Sequence, residues 1–399
     1  MAVTVQSQPA IYVPSYNNQW FVATSTQVAQ PNFKYRVVMT DLISGYTITE
    51  DYNPNPSNEL EIDVSKFSEL NMLNYLPANQ YGWKKCIGAS RKIRVNIGEY
   101  YGTTPAYYAG SNIDYIVWNG ALELFDFSTY LVTDYVYDTG GSTYPYPFLS
   151  TPNSKTYIDR SNYLYALVLE GATTFLDSIL INTYDSAGSI IGQYQINRPS
   201  YSTGLYTDQY QCIDIGYKGL ANMPGAQVTV ITGPVTITDP ALSYYTVTDG
   251  SQTWTINVDC AQFDVYTLHY LNSKGGYDTL HCKMFTELNS TKTTTSFKKS
   301  PWSRSGYVKV LDTSGAVENT LSLNLQDGLR VNTDWLTQAE FDQHKDLFAS
   351  PDVRLDLGST TAYKSVKITN TSYTQRNRDR LRSLTFDILF NHSNQRQKG

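Results

Sequence analysis

Residues 263–285, FDVYTLHYLNSKGGYDTLHCKMF, limit what this chain can fold into more than any other stretch. Val265, Thr267, His269 and Leu271 alternate with Tyr266, Leu268 and Tyr270, a period of two that belongs to a strand with two different faces. Asn272-Ser273-Lys274-Gly275-Gly276 then supplies turn residues, two of them glycines able to take positive φ without a Cβ clash. Tyr277, Thr279 and His281 lead the chain back, interleaved with Leu280 and Cys282. The reading is a β-hairpin that ties the middle of the chain together.

The same pattern recurs on both sides. Residues 33–39 (FKYRVVM) read as a strand, and 92–99 (KIRVNIGE) alternate cleanly, placing Ile93, Val95 and Ile97 inward and Lys92, Arg94 and Asn96 outward. Strands are also expected at 163–170, 179–184 and 190–196, with Asp185-Ser186-Ala187-Gly188 as the turn between the last two. Asp63 is placed to start a helix carrying Phe67, Leu70 and Leu73. Asn119-Gly120 signals a type I′ hairpin within 114–127. The clearest helix starts at Thr337, with Glu340 completing a capping box, and stops at Ser350-Pro351.

A chain of 399 residues is long for one sandwich. The expected fold is mainly β, with two or three β-sandwich-like domains and one or two short helices. The divisions expected are an N-terminal arm at 1–14, a β-sandwich-like domain at 15–150, a second β domain at 151–290 ending in the central hairpin, and a C-terminal β domain at 291–399 with the capped helix. The arm is polar and carries Pro9 and Pro14, so it is expected to be disordered alone or ordered against a neighbour. Residues 138–154, with their glycines and prolines, are the candidate linker, and 286–300, with five threonines and three lysines, a second loop or boundary.

Charged residues are only 17% of the chain, and their place is taken by Thr, Ser, Asn and 34 tyrosines. Tyrosine suits strand faces and half-wet interfaces alike, because a large ring and a hydroxyl come with few rotors. The net charge of −6 gives no reason to expect nucleic-acid binding, which needs clustered Lys and Arg. Cys86, Cys212, Cys260 and Cys282 are far apart and form no CxxC pair, so they are read as small buried hydrophobes rather than a disulfide framework. The opening residues have neither the basic nor the apolar region of a secretory signal, and no apolar run approaches the ~18 residues of a membrane helix. A soluble product without membrane insertion is the expectation.

No chemical motif stands out. His269 and His281, on opposite arms of the hairpin, can face the same side, but zinc needs three or four ligands and Cys282 points the other way. His344 and His392 have no ligand spacing, and HExxH, GxSxG and the P-loop pattern are missing. Glu123 and Asp126, three apart in a strand-like stretch, point to opposite faces and make no glycosidase pair. Neither enzyme activity nor a cofactor is expected. Asn289, Asn370 and Asn391 lie in N-x-Ser/Thr sequons of the kind that chance supplies in such a chain. Arg376, Arg378, Arg380 and Arg382 recur at every second residue, so a strand there has one arginine face. That face either blunts a sheet edge or meets an acidic neighbouring subunit. Tyr100, Tyr101, Tyr107, Tyr108, Tyr144 and Tyr146 are the candidates for stacking host surface glycans, since aromatic pairs in loops are what sugar faces pack on.

Three stretches, taken together, resemble virion structural proteins of tailed bacteriophages that infect Bacteroidota, the crAss-like phages included. They are SYNNQWFVATSTQVAQPNFKYRVVM with YNPNPSNELEIDVSKF near the start, CAQFDVYTLHYLNSKGGYDTLHCKMF in the middle, and WLTQAEFDQHKDLFASPDVRL with VKITNTSYTQRNRDRLRSLTFDI near the end. The resemblance spans most of the chain in order, and its motifs are soft structural patterns that transfer no active-site residue. It implies a tail or baseplate-type virion component, assembled in the host bacterial cytoplasm from several copies of itself and other virion proteins.

Overall fold

Strand after strand pairs antiparallel across tight polar turns, as the period-two stretches predict. A computed structural model of the chain describes residues 3–137, 148–168, 178–199, 209–311, 318–358, 363–369, 383–391 and 394–395. These residues are mainly β, and helix is confined to segments of four to six residues. The chain divides into two units: Met1–Cys260 with His269–Leu280 and Gly358–Ala362, and Ala261–Leu268 with His281–Leu357 and Tyr363–Gly399. The expected boundary at 290/291 falls inside the strand Glu287–Lys298.

The first unit opens with a sandwich. Its small sheet pairs Trp20–Ser25 with Val3–Ser7 on one side and Glu59–Asp63 on the other. Its large sheet runs in the order Tyr12–Pro14, Asn112–Trp118, Ser90–Tyr101, Lys34–Asp41, Thr47–Tyr52, with Ala106–Tyr108 folding back on the end of Ser90–Tyr101. Alternation decides the faces: along Lys34–Asp41, Tyr35, Val37 and Met39 turn inward. They join Phe21, Ile62, Ile93, Val95, Ile97 and Tyr115 in one buried core. The N-terminal arm is corrected here. Val3 and Val5 pack against that core, and Tyr12, Val13 and Pro14 are buried in a strand parallel to Asn112–Trp118. Polar spacing hid two short strands.

A second sandwich follows in the same unit. Tyr163–Val168 and Tyr210–Asp214 lie between Val136–Tyr137 and Trp83–Lys85 in one sheet. The other sheet runs Lys155–Thr156, Thr253–Val258, Tyr244–Thr248, Ser178–Tyr184, Ile190–Asn197, Val228–Thr232. Leu164 and Ile213 from the first sheet share a core with Ile179, Ile181, Tyr194, Ile196, Tyr245 and Ile256 from the second.

Many tyrosines are fully buried, among them Tyr35, Tyr115, Tyr165, Tyr194, Tyr210 and Tyr245. A buried hydroxyl needs an acceptor, and each has one. Tyr35 donates to the Asn58 carbonyl at 2.9 Å, Tyr115 to Gln19 Oε1 at 2.9 Å, Tyr165 to the Tyr75 carbonyl at 3.0 Å, and Tyr245 to the Ile215 carbonyl at 2.7 Å. Tyrosine therefore fills the cores and ties them to neighbouring backbone.

The hairpin turn does the tying that the sequence led us to expect. Asn272 Nδ2 donates to the Leu149 carbonyl at 2.8 Å, and Asp278 Oδ1 accepts from the Thr151 amide at 2.9 Å, both on the side of the second sandwich. Ala121 N donates to the Ser273 carbonyl at 2.8 Å and Trp118 Nε1 to the Lys274 carbonyl at 3.1 Å, where the first sandwich ends. Gly275 sits at φ +97°, and a Cβ there would lie 2.5 Å from the Asn119 carbonyl oxygen. Gly276 is needed for close approach alone, since its Cβ would lie 2.7 Å from the Leu149 oxygen.

Other local expectations met different outcomes. Asp63 Oδ1 does accept from the Ser65 amide at 3.0 Å, but the helix stops at Glu69, so Phe67 is buried while Leu70 and Leu73 are exposed. Asn119-Gly120 ends a strand instead of turning a hairpin, and the chain goes on into the short helix Leu124–Ser128. The Thr337 capping box is present: its Oγ1 accepts from the Glu340 amide while Glu340 Oε2 accepts from the Thr337 amide at 2.8 Å. That helix ends at Gln343, and a second turn of helix spans Asp346–Ala349.

The second unit is built mainly on one sheet, in which Val353–Asp356, Lys364–Ile368, Thr385–Phe390, Glu318–Asn332 and Glu287–Lys298 lie side by side in that order. Val331, Leu355, Phe386 and Ile388 are buried on it, and the helical segment brings Phe348 to 5.4 Å from Phe386, ring centre to ring centre.

Candidate functional site

The described residues of the first tyrosine group divide between the two faces of one sheet. Tyr100 pairs with Tyr107 across the two strands, and Tyr101 with Ala106. Tyr100 and Tyr107 therefore share one face, on which the Arg36 guanidinium lies 4.1 Å from the Tyr100 ring centre and 5.6 Å from that of Tyr107. Asp51 holds Arg36 by two bonds of 2.6 and 2.7 Å, which lowers the Asp51 carboxyl below its ordinary range, mainly through that hydrogen bonding. Tyr107 lies over Gly98, where a Cβ would come within 2.6 Å of its ring, and its hydroxyl donates to Asn96 Oδ1 at 2.8 Å. On the other face Tyr101 stacks on Tyr108 at 4.8 Å and on Phe33 at 6.1 Å. Four tyrosines thus make two separate two-ring arrangements rather than one platform. Tyr144 and Tyr146 lie outside the described residues, as do Arg376, Arg378, Arg380 and Arg382.

The remaining candidates are spread over both units. His269 Nδ1 is 3.0 Å from Thr279 Oγ1, and His281 Nδ1 is 2.9 Å from Thr267 Oγ1. Each histidine is buried beside a threonine on the facing strand. Among the described residues no group of three or more His, Cys, Asp or Glu could hold a metal ion. His344 is buried, and loss of hydration pulls its pKa down to about 4; His392 lies outside the described residues. Glu123 and Asp126 sit at the start of the helix Leu124–Ser128, both exposed, which corrects the strand reading of that stretch. Cys86, Cys212 and Cys282 are buried as expected, whereas Cys260 is exposed. Asn289 is exposed on the edge strand, Asn391 Nδ2 donates to Ser365 Oγ at 2.6 Å, and Asn370 lies outside the described residues. No helix among the described residues is long and apolar enough to cross a membrane.

The most unusual surface is one that sequence reasoning took for a loop. Residues 286–300 contain the strand Glu287–Lys298, every residue of which is exposed. It pairs along its length with Glu318–Asn332, from Glu287 opposite Arg330 to Lys298 opposite Glu318. Twelve residues at ~3.4 Å each make a ribbon about 40 Å long. The strand was legible in principle, because Thr291, Thr293, Thr294 and Thr295 are β-branched. A lack of apolar alternation concealed it, since neither face is buried.

Beyond the ribbon, Trp302–Ser305 and Val308–Leu311 form a small hairpin of their own. Trp302, Val308, Val310 and Leu311 are all exposed there, and Tyr307 at the turn is 98% exposed. A second exposed apolar group lies at the start of the strand: Phe263, Met284, Phe285 and Leu288, with the Phe263 and Phe285 rings edge to face at 6.4 Å. The stretch 284–311, called the arm below, therefore has exposed apolar residues at both ends and is rich in threonine between them.

No protein-family model and no curated protein matches the chain. Matches among solved structures include dimeric latent PorU from Porphyromonas gingivalis, at 10% identity and a TM-score of 0.18. That alignment covers 83% of this chain and 32% of that one, so the chain spans about a third of its length. A likeness at this level carries no argument about function.

Proposed function

We propose that this protein is a structural component of a phage virion, of tail or baseplate type, that acts by protein–protein contact in a multi-copy assembly. The observation that carries the reading is the arm: a fully exposed strand with an apolar group at either end. Ordering a twelve-residue strand that buries neither face is unfavourable for a monomer, so the arm makes physical sense where a neighbour covers it. The sequence resemblance supports the virion setting. Partners are further copies of the chain and other virion proteins, and assembly takes place in the host bacterial cytoplasm.

The test is protein composition of purified particles by quantitative mass spectrometry. The expected result is several copies per particle, with a variant lacking residues 289–326 folding but failing to be incorporated. Absence of the wild-type chain from particles overturns the reading. The alternative, stacking of host glycans on tyrosine, predicts a glycan-array signal that the Tyr107→Ala/Tyr108→Ala double variant loses.

A further inference from the structure

The edge strand Glu287–Lys298 is complementary to itself. We infer that two copies of this chain join through it, edge to edge and antiparallel, about a two-fold axis at Thr293. This rests on the reading of the protein as a multi-copy assembly component and names the contact.

Among the described residues the strand is the last in its sheet, and one of its sides faces no other described strand. A long exposed edge is a template for pairing with a further strand, unless prolines, bulges or dense charge protect it. This edge carries only Glu287, Lys292 and Lys298 and no proline. The irregularity at Thr295/Ser296 arises from an additional residue, Leu321, on the inner partner strand, so the outer edge keeps its pleat.

Geometry restricts the register. A two-fold axis between adjacent antiparallel strands stands perpendicular to the sheet and keeps each face on its own side. Opposed residues must share a face, so the axis passes through a residue rather than between two. Only axes at Lys292 or Thr293 engage nearly the whole strand. The first sets the two Lys292 ammonium groups against each other, which is unfavourable. The second opposes no like charges. It pairs Ser290 with Ser296, Thr291 with Thr295 and Lys292 with Thr294, and brings Glu287 across from Lys299 just past the strand end. Cross-strand Thr–Thr, Ser–Ser and opposite-charge pairs of this kind stabilise antiparallel sheets.

The same symmetry accounts for the two apolar groups. An antiparallel pair directs the far end of one arm, with Phe297 and Trp302, toward the near end of the other, with Met284, Phe285 and Leu288. A parallel pair would leave like ends together and unable to form a closed two-fold contact. The self-complementary edge, the charge pairing and the apolar ends therefore agree on one partner, a second copy.

The test uses the full chain carrying Cys260→Ser, which removes the exposed thiol. Opposed α-carbons in an antiparallel pair are about 4.5–5.5 Å apart, within disulfide range. Thr293→Cys should then yield a covalent dimer under mild oxidation. Thr291→Cys should not, because its copy lies four residues away, roughly 13 Å along the strand; combining Thr291→Cys chains with Thr295→Cys chains should restore the cross-link. Thr293→Lys, which opposes two ammonium groups at the axis, should shift the sedimentation profile to monomer while the melting curve stays that of the parent. A monomer at every concentration, or equal cross-linking at Thr291 and Thr293, overturns this contact. If the dimer forms but particles lack the protein, the contact stands and the virion reading falls.

Discussion

The first unit and the arm of the second are made of the same elements, antiparallel strands rich in threonine and tyrosine, with opposite results. In the first unit Tyr165 and Tyr245 are fully buried, and their hydroxyls reach backbone carbonyls beyond their own strands. In the arm, Tyr307 and Trp302 meet solvent. The difference lies in what stands opposite. A strand whose alternate residues face a second sheet gains stability from burial, while a strand exposed on both faces gains it only from its ladder and from any partner it acquires. Burial stabilises the cores, and the arm presents its side chains to solvent.

The sharpest way to break the comparison is to truncate one aromatic in each region. Phe21→Ala, in the first core, should cost about 3–5 kcal/mol in urea unfolding. Trp302→Ala, on the arm, should leave the melting curve unchanged within ~0.5 kcal/mol and weaken self-association. Equal stability losses would mean that the arm is part of a core.

Two buried titratable groups give the units opposite responses to pH. Asp214, in the first unit, accepts from the amides of Asn162 and Gly216 at 3.0 Å each, yet burial raises its pKa to about 7. Its folded-state pKa lies above the unfolded value, so the stability it contributes is fully present below about pH 4 and lost as pH rises through 7, on the order of 4 kcal/mol. The Asp214→Asn variant should flatten the fall of the first unit's melting temperature between pH 5 and 8.

His344, in the second unit, works the other way. Its folded-state pKa of about 4 lies below the unfolded value of 6.5. Its contribution is present above pH 6.5 and lost as pH falls toward 4, on the order of 3 kcal/mol. Calorimetry at pH 5 and pH 7 should show the second unit's transition dropping with acid, and His344→Gln should blunt the drop. The smallest effect belongs to the helix start in that unit. Thr337→Ala removes the cap to the Glu340 amide and should cost about 1 kcal/mol.

Legibility in the sequence followed burial. Strands with one face in a core announced themselves: Ile93, Val95 and Ile97 alternate with Lys92, Arg94 and Asn96, and each stands on the expected face. The capping box at Thr337 and Glu340 was readable because both of its hydrogen bonds are local. The N-terminal strands were missed because Val3 and Val5 are few and set among polar residues. The short helix at 124–128 was missed because aromatic residues in 114–127 mimic a strand. The candidate tyrosines could be named but not arranged. That Tyr100 joins Tyr107 over Gly98 while Tyr101 joins Tyr108 depends on a return strand, Ala106–Tyr108, too short to carry a periodic signal.

By itself the sequence determined the class of fold, since a period of two, β-branched and aromatic residues and Gly-containing turns act through the nearest neighbours along the chain. It also determined where the hairpin turns, because Gly275 alone can take the φ that the turn requires without strain. Which strands face another sheet and which face water was decided only in three dimensions. Two polar threonine strands look alike in a row of letters, and the presence or absence of a second layer across from them makes one a core element and the other an open edge.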